Sequence, residues 1–365
     1  MNEISVHLAE RSYSVLIKPG CLSEIGHMVS SRAHGNQVAI ITDQTVAALF
    51  GDCVMQSFQR EGLRATLHVV PDGEHSKSLD QAAELYSALI TSNLRRDGLV
   101  IALGGGVVGD LAGFVASTYL RGVRFVQVPT TLLAQVDSSV GGKVGINHPL
   151  GKNLIGCFHQ PSLICIDVLA LRTLNRRDTW AGLGEVVKYG LICDDNIFSS
   201  LEAHLEKLAE GSNVDSLSAM VSLCCRAKAG IVEQDEKEKG LRRILNFGHT
   251  MGHALEVATG FSRYRHGEAI VYGMRWASWL SSKQGVFPET EFCRTDRLLK
   301  KFPVPPLPDD LSGEQLLSFF STDKKQTAKG LALILLEKIG KACIIDGDIR
   351  LALVDEWLDE VRREK

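Results

Sequence analysis

The sequence predicts an α/β protein with a parallel sheet in its first half and a mainly helical second half. Three observations carry that expectation. Short apolar runs recur at 38–42, 66–70, 99–103 and 124–128. Helical stretches separate them, and strands spaced in this way read as βαβ units around a parallel sheet. From Asp178 onward the apolar period becomes helical throughout.

Taken in order, 38–42 is a buried-strand run ending at Asp43, and 66–70 is another ending at Pro71-Asp72-Gly73. The stretch 78–92 is amphipathic at helical period. The strand 99–103 runs into Gly104-Gly105-Gly106, and the strand 124–128 is stopped by Pro129. Helices follow at 178–192, 197–210, 215–233, 244–259 and 268–284. A proline cluster (Pro303, Pro305, Pro306, Pro308) marks a surface connection. A hairpin is expected at 331–337 and 342–345 around Gly340, and a closing helix at 351–363. The expected domains are 1–177 and 178–365.

The composition narrows the function classes. At ~100–200 residues per domain, 365 residues make roughly two domains. With 45% apolar and 23% charged residues the chain is globular. The net charge of −3 excludes a chain held to nucleic acid by charge alone. The nine cysteines are odd in number and form no C-x-x-C pair, which points to buried, reduced thiols in a cytoplasmic protein. Met1-Asn2-Glu3-Ile4 does not resemble a signal peptide. The most apolar stretch, 99–116, carries five glycines and Asp110 and does not suit a bilayer span.

Three groups of residues carry chemistry. The first is Gly104-Gly105-Gly106-Val107-Val108-Gly109-Asp110, a formal G-x-G-x-x-G after a strand and at a helix start. Glycine lets a backbone approach a pyrophosphate, and the helix N-terminus favours its charge. The acidic residue usual ~20 positions later is replaced by Gln127-Val128-Pro129, so the match to a dinucleotide fingerprint is incomplete. Asp43 is the candidate acceptor for a ribose hydroxyl. The second group is the segment 129–156, dense in small and polar residues, with Lys143 and Lys152 in glycine-rich loops suited to a phosphorylated ligand.

The third group is histidine-rich. His249 and His253 stand four apart on one helix face, and His266 and Glu268 follow. Glu185 lies in a helix with an apolar face. Three ligands and an open position would make a catalytic divalent-metal site. Spacing does not choose among Glu185, His249, His253, His266 and Glu268, although an i, i+4 reading prefers His249 with His253. Arg121, Lys143, Lys152, Lys188, Lys228 and Arg242 stand in apolar or glycine-rich surroundings, which suits a small substrate with more than one anionic group.

At these residues the chain resembles the 3-dehydroquinate synthase family. The likeness lies in 104–110, Arg121-Gly122, 129–139, Gly141-Gly142-Lys143, Gly151-Lys152-Asn153 and 245–250, and extends from about 40 to 345. It implies a Rossmann-like NAD-binding domain, a mainly helical metal-binding domain and an active site in the cleft between them. It further implies NAD, zinc or cobalt, and a homodimer. The implied metal ligands are Glu185, His249 and His266, which assigns His253 to the substrate. The implied NAD contacts are Asp43, Asp72, Gly73, Glu74, His75, Lys77, Gly105, Gly106, Val107, Val108, Gly109, Asp110, Thr130, Thr131, Lys143, Lys152, Thr173 and Leu174. The implied catalytic and substrate positions are Arg121, Asp137, Asn153, Lys188, Lys228, Arg242, Asn246 and His253.

The family reaction converts 3-deoxy-D-arabino-heptulosonate 7-phosphate to 3-dehydroquinate and phosphate. It proceeds by transient NAD oxidation, elimination, reduction and intramolecular aldol closure, as the second step of the shikimate pathway. Polyol dehydrogenases share the two-domain plan but release NADH and need no phosphate-loop lysines. Cyclases acting on other sugar phosphates lack a substrate carboxylate, which Lys228 and Arg242 are expected to grip.

Overall fold

The computed structural model describes residues 1–30, 32, 35–320, 326–327, 330–347 and 350–364. They form two compact units. The first comprises Met1–Asn175 with Gly211–Lys237, and the second Arg176–Glu210 with Glu238–Lys365.

Among the described residues the first unit holds a seven-stranded sheet. Its strands are β1 (Asn2–Val6), β2 (Tyr13–Ile17), β3 (Gln37–Asp43), β4 (Arg64–Val70), β5 (Leu99–Gly104), β6 (Arg124–Pro129) and, after the hairpin of β7 (Lys143–His148) and β8 (Gly151–Phe158), β9 (Leu163–Ile166). The spatial order is β1-β2-β9-β6-β5-β3-β4, with only β1 and β2 antiparallel. Each central strand feeds both faces, as a doubly wound sheet requires. Val38, Ile40, Leu99, Ile101 and Leu103 pack with Ile25, Val29, Val54 and Phe58 on one side. Ala39, Ile41, Val100 and Ala102 pack with Leu85, Leu89, Leu111 and Val115 on the other.

The parallel strands β3, β4, β5, β6 and β9 have the order 2-1-3-4-5, whose switch point falls between β3 and β5. Crossovers leave in opposite directions there, so a crevice opens beyond the carboxyl ends of these two strands. Those ends are Asp43 and Gly104.

Two sequence expectations need correcting. Lys143, Lys152 and Asn153 do not lie in open loops but on the hairpin β7–β8, which packs on the helix Gly106–Thr118. The packing is tight because Gly113 faces Val144, where a Cβ would come within 2.3 Å of a side-chain carbon. The segment 178–365 is also not one unit. The helix Val214–Gln234 belongs with the sheet, where Cys225 Sγ donates to Gln135 O (3.3 Å) and Glu233 accepts from His7 N (2.6 Å). Its buried face, including Leu217, Val221 and Ile231, is thus used against the first unit. The strands β1, β2 and β9 are not predicted by the local sequence pattern.

The second unit is built from the helices Arg176–Ile192, Asp195–Glu210, His249–Ala258, His266–Lys283, Glu289–Leu299, Gly313–Phe320 and Leu351–Arg363, with a sheet of Gln326–Thr327, Gly330–Lys338 and Lys341–Gly347. The expected helix over 244–259 is broken. Leu241–Asn246 is a tighter helical turn, and Gly248 at φ +78° resets the direction before His249. Part of the expected hairpin, at 331, has no described side chain. None of the nine cysteines is in a disulfide. Burial holds for Cys21, Cys165, Cys224 and Cys225, whereas Cys53, Cys157 and Cys293 face solvent and Cys193 and Cys343 are intermediate. Among the described residues no helix is long and apolar enough to cross a membrane.

Candidate active site

In the second unit, glycines bring three helices into backbone contact and so gather the chemically active side chains. A Cβ on Gly267 would stand 1.8 Å from Ala181 O, and one on Gly184 2.8 Å from Gly267 O. A Cβ on Gly273 would stand 1.8 Å from Gly248 O, and one on Gly252 2.7 Å from Ile270 Cδ1. Each of Glu185, His249, His253 and His266 is the sequence neighbour of one of these glycines. The sequence carried this signal as Gly-Glu, Gly-His and His-Gly pairs, which the reading by spacing missed.

Glu185 is fully buried. Its Oε2 pairs with the buried ammonium of Lys188. Its Oε1 faces two imidazoles, His249 Nε2 at 3.7 Å and His266 Nε2 at 3.5 Å. The His253 ring is 5.2 Å from that of His249 and 5.9 Å from that of His266, and the ligand atoms of all three histidines lie within 4.8 Å of one another. The structure therefore brings together Glu185 and all three histidines. Glu268 is committed elsewhere. It accepts from Arg177 Nε (2.7 Å) and Nη2 (2.8 Å) and from Arg265 N (2.8 Å), capping its own helix.

The tautomers follow from the partners. His249 Nδ1 faces Phe247 O at 3.1 Å, and His266 Nδ1 faces Glu256 Oε2 at 3.4 Å. Neither oxygen can donate, so each Nδ1 carries a hydrogen and each ring turns its Nε2 toward Glu185. Three lone-pair atoms facing one another are stable only with positive charge among them. Bonds of ~2.0–2.2 Å to a tetrahedral cation put ligand atoms about 3.3–3.6 Å apart, close to the separations found. The donor set therefore fits a divalent metal.

Burial opposes the charged form of His266, but the carboxylates of Glu256 and Glu185 outweigh it and raise the pKa to about 10. A proton thus fills the place of a cation until the pH approaches that value. An entering divalent ion displaces this proton, so its affinity is expected to rise about tenfold per pH unit between pH 7 and 9. One proton should be released per ion, which a titration in weak buffer measures. An affinity independent of pH would contradict this charge balance.

Asn246 Nδ2 donates to Glu238 Oε1 (2.8 Å), and Arg242 is almost wholly buried.

In the first unit the glycine run forms the turn from β5 into the helix Gly106–Thr118. Gly105 is its N-cap and has no side chain to cap the first N–H groups, as an anion site requires. Cβ atoms would meet Thr131 Cγ2 at 3.2 Å from Gly105 and Ser138 Oγ at 3.0 Å from Gly106. Val108 is buried in the core, and Val107 and Asp110 are half-buried. Thr130, beyond β6, has a buried hydroxyl with no hydrogen-bond partner among the described residues. A glycine-opened helix start at the switch point, with an unpaired hydroxyl at the end of the next strand, fits a dinucleotide.

Other candidates are already engaged. Asp43 accepts from Val46 N (2.8 Å) as a helix cap, and burial, with Asp72 nearby, raises its pKa. Asp72 accepts from Thr45 N and Oγ1, which lower its own. Lys77 Nζ donates to Asp110 Oδ2 (2.7 Å) and Asn153 Oδ1 (2.5 Å), with Glu74 at 3.6 Å. Glu74 accepts from Asn147 Nδ2 (2.8 Å), and Asn147 Oδ1 accepts from Asn153 N (2.9 Å). Gly73 and His75 are exposed at this turn. Thr131 Oγ1 accepts from Ala134 N, Thr173 Oγ1 donates to Ala170 O, and Leu174 N donates to Leu171 O. Lys228 Nζ donates to Asp137 O (2.7 Å) and Oδ1 (2.8 Å). Lys143 and Arg121 are exposed and Lys152 is half-buried. Arg121 sits at φ +67°.

The sequence model described as 3-dehydroquinate synthase N-terminal matches residues 67–181, and that described as 3-dehydroquinate synthase C-terminal matches 182–326. The chain is 45% identical over 347 residues to the 3-dehydroquinate synthase of Desulforamulus reducens, covering 94% of this chain and 96% of that one. A 2-deoxy-scyllo-inosose synthase solved with carbaglucose-6-phosphate, NAD+ and Co2+ has a TM-score of 0.88 at 27% identity, covering 98% of this chain and 100% of that one. The 2-epi-5-epi-valiolone synthase of Streptomyces hygroscopicus, with NAD+ and Zn2+, has a TM-score of 0.89 at 26% identity, covering 98% and 99%.

Proposed function

The chain belongs to the 3-dehydroquinate synthase family, and from that premise we propose that it converts 3-deoxy-D-arabino-heptulosonate 7-phosphate to 3-dehydroquinate and phosphate. The observation that carries this reading is the buried Glu185 carboxylate facing Nε2 of both His249 and His266. When bound, NAD supplies a hydride acceptor restored within each turnover, and a zinc or cobalt ion polarises the oxygen that is oxidised.

The protein's own residues have distinct parts in this reading. Glu185, His249 and His266 hold the ion, and Lys188 pairs with the second oxygen of Glu185. The N–H groups at Gly105 to Asp110 receive the pyrophosphate, with Asp43, Thr130, Thr131, Thr173, Leu174 and the turn from Asp72 to Lys77 around the nucleotide. Arg121, Lys143, Lys152, Asn153 and His253 supply cations and N–H donors for the substrate phosphate, Lys143 and Lys152 also reaching the nucleotide. The bond from Lys77 orients the Asn153 amide with its oxygen inward, so that the NH2 end serves the phosphate. Lys228, held by Asp137, and Arg242 carry the charge for the carboxylate. His253 and Asn246 face the substrate. The same reading makes the protein a cytoplasmic homodimer.

The test is one incubation with NAD, zinc and the heptulosonate phosphate, following phosphate and NADH absorbance together. Phosphate release that a chelator stops, with no lasting NADH, is expected. Accumulating NADH without phosphate would replace this reading with that of a dehydrogenase.

A further inference from the structure

Glu256 is buried, at 6% exposure, on the helix His249–Ala258. Its position is not accidental to the site. Residues 249, 253 and 256 are spaced i, i+4, i+7, which places them along one helix face. Glu256 is therefore the third member of the row that begins with two of the clustered histidines.

Its carboxylate Oε2 stands 3.4 Å from Nδ1 of His266, on the far side of the ring from Glu185. The two candidate ligand histidines are thus treated differently. The Nδ1 of His249 meets a backbone carbonyl, and that of His266 meets a side-chain carboxylate. A carboxylate behind a ligand imidazole fixes its tautomer, holds its ring plane and makes its other nitrogen a stronger donor.

We propose that Glu256 is a positioning residue for the metal centre, acting through His266 to orient that ring and strengthen its Nε2 as a ligand. The proposal rests on the reading of Glu185, His249 and His266 as the ligand set. It assigns Glu256 no contact with ion or substrate. A carboxylate that merely filled space or paired charge within the unit would leave the affinity for the ion unchanged when replaced by an isosteric amide.

The experiment uses zinc itself. The full-length protein is stripped of metal, and zinc affinity is measured by competition with a chromophoric chelator for the parent, Glu256→Gln, Glu256→Ala and Glu256→Asp. Removing an outer carboxylate of this kind weakens metal binding by roughly 10–100-fold. That loss is expected in Glu256→Gln and Glu256→Ala, with partial recovery in Glu256→Asp. The visible absorption of the cobalt-loaded Glu256→Gln protein should shift, because the ring's donor strength has changed. NAD affinity should be unaltered and reports that the chain is folded. If Glu256→Ala does not fold, the isosteric Glu256→Gln carries the test. Zinc affinity within twofold of the parent in the folded Gln variant, with the cobalt spectrum unmoved, overturns the proposal. A parent protein that binds no zinc overturns the ligand assignment first, and the proposal with it.

Discussion

Glu185→Gln is expected to remove zinc binding and to lower the rate of phosphate release by about a thousandfold. The rate estimate follows from the role proposed for the ion. Polarising an oxygen is worth several kcal/mol of transition-state stabilisation, and about 4 kcal/mol corresponds to three powers of ten. The amide is isosteric, so the loss is one of charge rather than shape. A second consequence is separable from the first. The Lys188 ammonium is buried against Glu185, and breaking a buried ion pair from one side costs about 3–5 kcal/mol. The metal-free variant should therefore unfold at distinctly lower denaturant than the metal-free parent. Glu185→Gln with Lys188→Met should recover much of that stability, because a neutral buried pair needs no counter-charge. It should recover none of the zinc. Elemental analysis after dialysis against zinc, with urea unfolding of the metal-free proteins, reads both effects. Stoichiometric zinc and parental phosphate release in Glu185→Gln would remove Glu185 from the centre.

How much of this was legible in the sequence depends on whether the signal was local. The strands β3, β5 and β6 are continuous apolar runs with clear stops, and a strand buried on both faces writes itself that way. The run at 66–70 is a strand too, but β4 is the sheet edge and only partly buried, so its apolar character overstated its burial. The short strands β1, β2 and β9 owe their pairing to partners far along the chain, Tyr13–Ile17 lying beside Leu163–Ile166, and no local pattern announces it. The return of the helix Val214–Gln234 to the first unit was hidden for the same reason. Its periodicity shows an apolar face but not which surface covers that face. At the site, spacing found His249 and His253 because a helix brings i and i+4 together. It could not place Glu185 beside them, since that contact runs between helices through Gly184 and Gly267. The resemblance selects Glu185, His249 and His266, and the structure puts these three side chains and His253 in one place. The glycine run is the strand-to-helix turn that its sequence predicts. Its significance lies in the strand order, which sets the switch point between Asp43 and Gly104 and which no single-chain pattern encodes.

The largest structural effect should come from the smallest change, Gly267→Ala. Its added methyl would stand 1.8 Å from Ala181 O and 2.8 Å from Ala181 Cα. Both are backbone atoms of a helix and have no rotamer through which to withdraw. Ordinary carbon–oxygen contact needs more than 3 Å, so the helices Arg176–Ile192 and His266–Lys283 must part by an ångström or more. Those helices carry Glu185 and His266, whose 3.5 Å separation would then exceed the span of one cation. Overpacking costs about 1–3 kcal/mol. A misplacement of about 1 Å at reacting groups can cost a hundredfold in rate. Gly267→Ala is accordingly expected to unfold at lower urea, to lose zinc on dialysis and to fall at least a hundredfold in phosphate release, with excess zinc restoring little. Gly230→Ala is the matched control. Gly230 lies in the helix Val214–Gln234 with no atom within 4 Å of an added Cβ. Glycine in a helix interior costs about 0.5–1 kcal/mol relative to alanine, so this variant should be slightly more stable than the parent and bind zinc as it does. If Gly267→Ala also kept its zinc and its rate, helix contact through glycine would not be what sets the geometry of the centre.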